Sequence, residues 1–274
     1  MSKSSACRSR ATRPAALIAC GLFAASLHST AAFANAPIQH YVGTAYDAQG
    51  RELYTESHWT SGQPGKEERL ILFQCPDGKA FARKHVEDAG HAQTPLFELD
   101  DSRVGYREGV RLAANGAREV FVRRNATQSE QTASLESVPG LVVDAGFDRF
   151  VLDNWDALVS GQNQKVEFLL PSKLRTYTFE LSPTGTDEID GTPVQRFRLE
   201  LDAWFGFALP PIDMAYSRDS KSIREYTGVS NIRDNDGKNL KVRIEFPEAG
   251  NAGIVDAQSL VQAGATRLDG RCTL

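Results

Sequence analysis

Apolar and charged residues alternate strictly along residues 240–246 of this 274-residue chain. The apolar positions are Leu240, Val242, Ile244 and Phe246, and the positions between them are Lys241, Arg243 and Glu245. Successive side chains of a β-strand point to opposite faces of its sheet, so this pattern predicts a strand with one solvated face and one buried face.

Paired runs of this kind recur along the chain, each pair joined by a short turn sequence. Residues 41–59, 69–86, 109–124 and 223–246 have this form. Their turns are Asp-Ala-Gln-Gly, Pro-Asp-Gly, Asn-Gly and Asp-Asn-Asp-Gly, in which glycine supplies the positive φ that tight hairpin turns require. Further strands are predicted at 165–170, 173–182, 194–202 and 212–218, which makes about a dozen strands in a meander of hairpins.

The period of the pattern changes between residues 144 and 160. Phe147, Val151, Trp155 and Leu158 recur at helical spacing, after Asp144 and before Gly161. This predicts one amphipathic helix with a bulky aromatic stripe. A second, weaker helical pattern covers residues 256–263.

These elements predict a mainly β fold, in which a curved antiparallel sheet or open barrel carries the amphipathic helix on its hollow side. The apolar face of residues 240–246 would then rest on that helix. Residues 35–274 contain no Pro-, Gly- or Ser-rich linker, so we expect one β-rich domain.

Residues 1–34 have the three parts of a cleavable export signal. A basic, acid-free start precedes the apolar run Ala-Ala-Leu-Ile-Ala-Cys-Gly-Leu-Phe-Ala-Ala, and small residues end at Ala32-Phe33-Ala34. We expect cleavage after Ala34 and a soluble protein in a bacterial periplasm. Lipidation at Cys20 is the alternative, and no later apolar run is long enough for a membrane helix.

Removal of residues 1–34 changes both the charge and the cysteine count. The whole chain carries −4, and these residues hold four basic and no acidic side chains, so the mature charge is −4 − 4 = −8. Such a charge argues against a nucleic-acid partner. Cys75 and Cys272 then remain as a single pair in an oxidising compartment, which predicts a disulfide between them.

No motif of the sequence carries recognisable chemistry. His40, His58, His85 and His91 lack the spacing of metal ligands, so we predict neither a metal site nor a cofactor. No nucleophile signature is present, and no catalytic residue is assigned.

Residues 202–216, DAWFGFALPPIDMAY, combine large apolar side chains with Gly and Pro residues that interrupt regular structure. Something must cover these side chains. The cover is either the end of the sheet and the helix stripe, or a ligand for which this connection forms an apolar lip.

Successive hairpins, a helix on the hollow side and an apolar lip resemble the periplasmic lipoprotein carriers. Proteins of that group are open curved antiparallel sheets whose concave face holds acyl chains under helices. Residues 226–246, YTGVSNIRDNDGKNLKVRIEF, also resemble the last hairpin of uncharacterised secreted bacterial proteins of that shape. The resemblance implies this fold and assigns no role to an individual residue.

The sequence therefore predicts a protein that binds a lipid or another hydrophobic small molecule on the concave face. The predicted site residues are Trp59, Phe147, Val151, Trp155, Trp204, Phe207 and Leu209. A cell-envelope module that docks a protein through its apolar lip, and an enzyme with a cryptic site, are the alternatives. The sequence defines neither the ligand nor the oligomeric state.

Overall fold

The computed structural model describes residues 37–63, 65–202, 210–248 and 253–274. In these ranges, sixteen strands form one open, curved sheet with few helices. The mainly β fold predicted from the sequence is confirmed.

The strands follow the chain with short connections between most of them. They are β1 (Ile38–Tyr46), β2 (Glu52–Gln63), β3 (Lys66–Gln74), β4 (Ala80–Glu87), β5 (Leu96–Asp101), β6 (Tyr106–Leu112), β7 (Arg118–Arg123), β8 (Gln131–Ser134), β9 (Leu141–Val142), β10 (Gln164–Leu170), β11 (Arg175–Ile189), β12 (Thr192–Leu201), β13 (Ile212–Ser217), β14 (Ile223–Arg233), β15 (Asn239–Glu245) and β16 (Gly253–Val255). The helices are α1 (Gly146–Asp153), α2 (Trp155–Val159), a 3-10 turn (Pro171–Lys173) and α3 (Ala257–Ala265).

The sheet consists of two meanders that meet at β1. Its order is β8-β7-β6-β5-β4-β3-β2-β1-β15-β14-β13-β12-β11-β10-β9, and β16 pairs with the first residues of β1. β9 runs parallel to β10, and the other pairings described are antiparallel. The four strands beyond the predicted dozen are β5, β8, β9 and β16, which have six residues or fewer. β8, β9 and β16 have four residues or fewer and contain too few alternations to be recognised, whereas β5 alternates over six residues and was missed.

The helix predicted over residues 144–160 is two short helices, α1 and α2, that meet at Asn154. The backbone of Asn154 leaves the helical region, with φ −105° and ψ 10°. The buried side chains of both helices pack on inward-facing residues of β10 to β13, in a cluster that includes Phe150, Val151, Trp155, Leu158, Phe179, Phe197 and Met214. The helical segment therefore lies on the hollow side of the sheet, as predicted.

The inner face of the other half of the sheet forms a separate apolar cluster. Val242 and Ile244 of β15 lie in it, together with Tyr54, Phe73 and Phe81. The alternation of residues 240–246 thus buries one face as predicted, and that face rests mainly on neighbouring strands.

The outer face carries a smaller apolar cluster under α3. Asp256 caps this helix, because its side chain accepts a hydrogen bond from the Ser259 backbone N–H at 2.9 Å. Leu260 and Ala263 of α3 contact apolar side chains of β1, β3 and the start of β4. α3 corresponds to the weaker helical pattern in the sequence.

A disulfide joins Cys75, after β3, to Cys272 in the C-terminal segment, with 5.5 Å between the Cα atoms. This is the pair that the sequence predicted. The same segment is held by a hydrogen bond from the Gly270 backbone N–H to the Ala80 carbonyl, 2.7 Å. No helix in the described ranges has the length and apolar character needed to cross a membrane.

Candidate functional site: a cavity on the concave face

A cavity of about 460 Å³ lies between the concave face of the sheet and the start of α1. Residues of β1 to β4 and β6 line one side of it, residues of β10 to β13 line the other, and residues of β14 and β15 line the part between them. The two sides differ in chemistry: one is largely apolar, and the other carries most of the ionisable side chains.

The apolar wall comes from the inward-facing positions of β10 to β13, with α1 beside them. Its members include Phe147, Phe168, Phe179, Leu199, Pro210, Ile212 and Met214. The Phe168 ring meets the rings of Phe147 and Phe179 edge-on, with centroids 6.0 Å and 6.1 Å apart. Such edge-to-face contacts hold aromatic rings in fixed positions.

On the opposite wall, β1 and β2 place an imidazole among aromatic rings. His58 is paired with Tyr41 in the strand register, and their rings stack with centroids 4.6 Å apart. The His58 Nε2 atom lies 3.0 Å from the Glu56 carboxylate. Burial, with the Asp148 carboxylate as a second cause, raises the pKa of Tyr41, so its hydroxyl stays protonated.

The segment that begins α1 crosses the cavity and is tied to both sides of the sheet. Lys84 of β4 donates to Asp144 at 2.8 Å, and Asn231 of β14 donates to the same carboxylate at 3.3 Å. Across the cavity, the Tyr216 hydroxyl donates to Asp148 at 2.7 Å. These bonds hold the helical segment inside the curve of the sheet.

Glu108 of β6 is a carboxyl group inside the sheet and is 4% exposed. It accepts a short hydrogen bond from the Tyr106 hydroxyl. Burial raises the pKa of Glu108, since its charged form loses hydration there. The Arg233 guanidinium lies 3.8 Å from the centroid of the Tyr106 ring, and Arg233 also lines the cavity.

The structure places the predicted site residues in different surroundings. Phe147 lines the cavity. Val151 and Trp155 are buried behind the apolar wall, where the Trp155 ring meets Phe197 edge-on with centroids 5.8 Å apart. Trp59 lies on the outer face, in the cluster under α3.

Trp204, Phe207 and Leu209, the other predicted site residues, lie outside the described residues. The described chain resumes at Pro210, which lines the cavity. Their predicted role as a lip of the ligand site stays a prediction.

The ionisable wall was not expected from the sequence. The sequence feature that could have revealed it is a charged residue at a strand position that otherwise faces the interior. Arg69 lies on the same face of β3 as Ile71 and Phe73, and all three line the cavity. Among the described residues, no group of three or more His, Cys, Asp or Glu side chains could hold a metal ion.

Comparison with known proteins gives likenesses of fold at low identity. No protein-family model matches the chain, and no curated protein matches it. A β-barrel-like protein of the domain of unknown function DUF1849 from Brucella abortus is similar over 81% of this chain and 100% of its own, with a TM-score of 0.47 and 10% identity.

A DUF1329 family protein from Desulfovibrio piger is similar over 84% of this chain and 90% of its own, with a TM-score of 0.30 and 12% identity. A domain from Vibrio parahaemolyticus, provisionally assigned to outer membrane lipoprotein sorting, is similar over 84% and 91%, with a TM-score of 0.24 and 8% identity. These neighbours match the groups that the sequence was expected to resemble.

Proposed function

We propose that this protein is exported and binds an acyl-chain or other apolar ligand in the cavity on its concave face. The observation that carries the proposal is a concave cavity with an apolar wall of inward-facing aromatic and aliphatic side chains. Its volume of about 460 Å³ falls within the range of small-molecule sites, roughly 300–1,000 Å³.

The apolar wall supplies the driving force for such a ligand. Each methylene group that leaves water for this wall contributes about 0.8 kcal/mol. A chain of several methylene groups would therefore bind without any charged contact. The edge-on packing of Phe168 keeps the wall formed before the ligand arrives, which reduces the ordering cost of binding.

The polar groups of the opposite wall favour an amphiphilic ligand over a pure hydrocarbon. Glu56, Lys84 and Asp144 line the cavity. Glu56 is within hydrogen-bond distance of His58, and Lys84 is ion-paired with Asp144, so polar groups border the cavity on this side. Covering such groups with hydrocarbon alone would remove their remaining hydration without replacement. A ligand with one polar end and one apolar chain satisfies both walls.

Export is part of the proposal and is supported by the composition of residues 1–34 and by the disulfide. A disulfide persists in an oxidising compartment such as the periplasm. The mature protein would begin at Asn35, two residues before the first described residue.

The proposal is tested by extracting lipids from protein purified out of a periplasmic fraction, followed by titration of the delipidated protein with a fluorescent fatty acid. We expect lipid in the extract, saturable binding, and weaker binding by Phe168→Ala. The control is Leu112→Ala, which shortens an exposed apolar side chain away from the cavity.

Protein without lipid and without saturable binding would contradict the proposal. That result would favour the two alternatives drawn from the sequence, a docking module or an enzyme with a cryptic site.

A further inference from the structure

Glu108 and the side chains around it form a polar site within the cavity. We infer that this site receives an anionic head group, such as a carboxylate or phosphate, and that it does so while Glu108 is protonated. The inference rests on the proposed function, because it concerns the polar end of the same ligand.

Four separate parts of the chain bring this site together. β4 contributes Lys84, β6 contributes Glu108 with Tyr106 beside it, and the end of β14 contributes Arg233. Asp144, just before α1, completes the set. Lys84, Glu108, Asp144 and Arg233 all line the cavity, and the three others act electrostatically on Glu108.

The charges of the site do not balance when Glu108 is neutral. Lys84 is paired with Asp144 at 2.8 Å. Arg233 donates through Nη1 to the Gly237 carbonyl at 2.9 Å, and in the described part of the chain no carboxylate oxygen lies within 4.0 Å of its guanidinium. With Glu108 protonated, Lys84, Arg233 and Asp144 leave a net charge of +1 at this site, while Glu56, Asp148, Arg69 and Lys173 also line the cavity.

The surroundings of Glu108 favour its protonated form. Its register partners are Leu99 on β5 and Val122 on β7, both fully buried. The hydrogen bond from the Tyr106 hydroxyl favours the carboxylate, but the loss of hydration on burial is the larger effect, and no cation pairs directly with the carboxyl group among the described residues. Apolar neighbours on both sides disfavour a charge at this position.

Arginine suits the proposed head group because its planar guanidinium can donate two parallel hydrogen bonds to an oxyanion. Lys84 adds a second positive charge on the same wall. Ionisation of Glu108 would add a carboxylate that competes with the ligand for these cations. Affinity for an anionic head should therefore fall as pH rises through the pKa of Glu108, whereas affinity for a neutral head should not.

Calorimetric titration with three ligands that share one alkyl chain tests the inference: decyl sulfonate, decanol and decyltrimethylammonium, each below its micellar concentration. The sulfonate stays anionic at all pH values used, so changes with pH belong to the protein. At pH values below the pKa of Glu108 we expect the sulfonate to bind about tenfold or more tightly than decanol, as charged hydrogen bonds contribute. Decanoate and decyl phosphate then distinguish the two head groups.

Two variants assign the preference to this site. Arg233→Gln should reduce sulfonate binding to the level of decanol. Glu108→Gln keeps the shape and the hydrogen bond to Tyr106 but cannot ionise, so it should retain tight sulfonate binding above the pH at which the wild type loses it. Far-UV circular dichroism confirms that each variant is folded, and Glu108→Gln alone suffices if Arg233→Gln does not fold.

The outcomes separate this inference from the proposed function. Equal binding of the three ligands, or a preference for the cationic one, overturns the anionic site and leaves the apolar cavity standing. Sulfonate binding that is independent of pH, and unchanged in Glu108→Gln, overturns the role of Glu108. Absence of binding by all three ligands contradicts the proposed function itself.

Discussion

Lys84 on β4 donates to both carboxylate oxygens of Asp144, at 2.8 Å and 3.0 Å, across the hollow side of the sheet. Asp144 stands two residues before α1 and has a positive φ of 41°, which is uncommon outside glycine and asparagine. The ion pair thus fixes the point at which the chain turns into the helix that borders the cavity.

The first prediction concerns this ion pair. Asp144→Asn tolerates the positive φ but leaves Lys84 without a carboxylate, and both side chains are largely buried, at 13% and 14% exposure. We expect the free energy of unfolding in urea to fall by about 3 kcal/mol, as for a broken buried pair. Asp202→Asn removes the partner of Lys165 in an exposed pair and should cost less than about 1 kcal/mol. Equal losses would show that the buried pair has no special role.

The second prediction separates the cavity lining from the core behind it. Trp155→Ala empties a buried position and should lower the free energy of unfolding by about 3–5 kcal/mol. Phe147 is only partly buried and lines the cavity, so Phe147→Ala should cost less stability and weaken fatty-acid binding more. Thermal melting beside fatty-acid titration measures both effects. If Trp155→Ala instead weakened fatty-acid binding more than Phe147→Ala did, the ligand would lie against Trp155.

The third prediction concerns the disulfide between Cys75 and Cys272, which are 197 residues apart. A covalent link across so long a loop restricts the unfolded chain, and the entropy model gives up to about 5 kcal/mol. Protein from the periplasm should show no free thiol under denaturant, and the double variant Cys75→Ala/Cys272→Ala should melt at lower temperature. Two reactive thiols in that preparation would contradict the pairing.

The fourth prediction follows from the raised pKa of Glu108. The folded protein holds this proton more tightly than the unfolded chain does. The stabilisation is fully present below the unfolded pKa of a glutamate and is lost as pH rises through the folded pKa. Glu108→Gln should therefore raise the melting temperature most at alkaline pH. Glu52→Gln, at an exposed position of β2, serves as the control and should show no such trend.

The fifth prediction concerns the N-terminus. The basic start and the small residues at Ala32-Phe33-Ala34 predict a mature chain that begins at Asn35, or at Pro37 as a second site. The intact mass of the periplasmic protein decides between them. An uncleaved chain in the cytoplasm would contradict both the export signal and the redox argument for the disulfide.

The sequence was sufficient for the hairpins and for the side of the sheet on which the helix lies. The run from Leu240 to Phe246 shows why: alternation with period two is a local property of the chain, and it states which face is buried. Asp and Asn residues before glycine marked the turns in the same local way. The number of cysteines can also be read from the sequence, and the two that follow residues 1–34, Cys75 and Cys272, predicted the disulfide.

The composition of the cavity was decided only by tertiary structure. Glu108, Lys84 and Arg233 are far apart in the chain, and each looks like an ordinary strand residue until the curved sheet brings them together. Trp59, at the end of the first predicted hairpin, was predicted to line the site, but the phase of β2 places it on the outer face under α3. The sequence of a single strand shows which residues share a face. Only the curvature of the sheet and the packing of the helices on its two sides decide which face encloses a cavity and which face is covered by a helix.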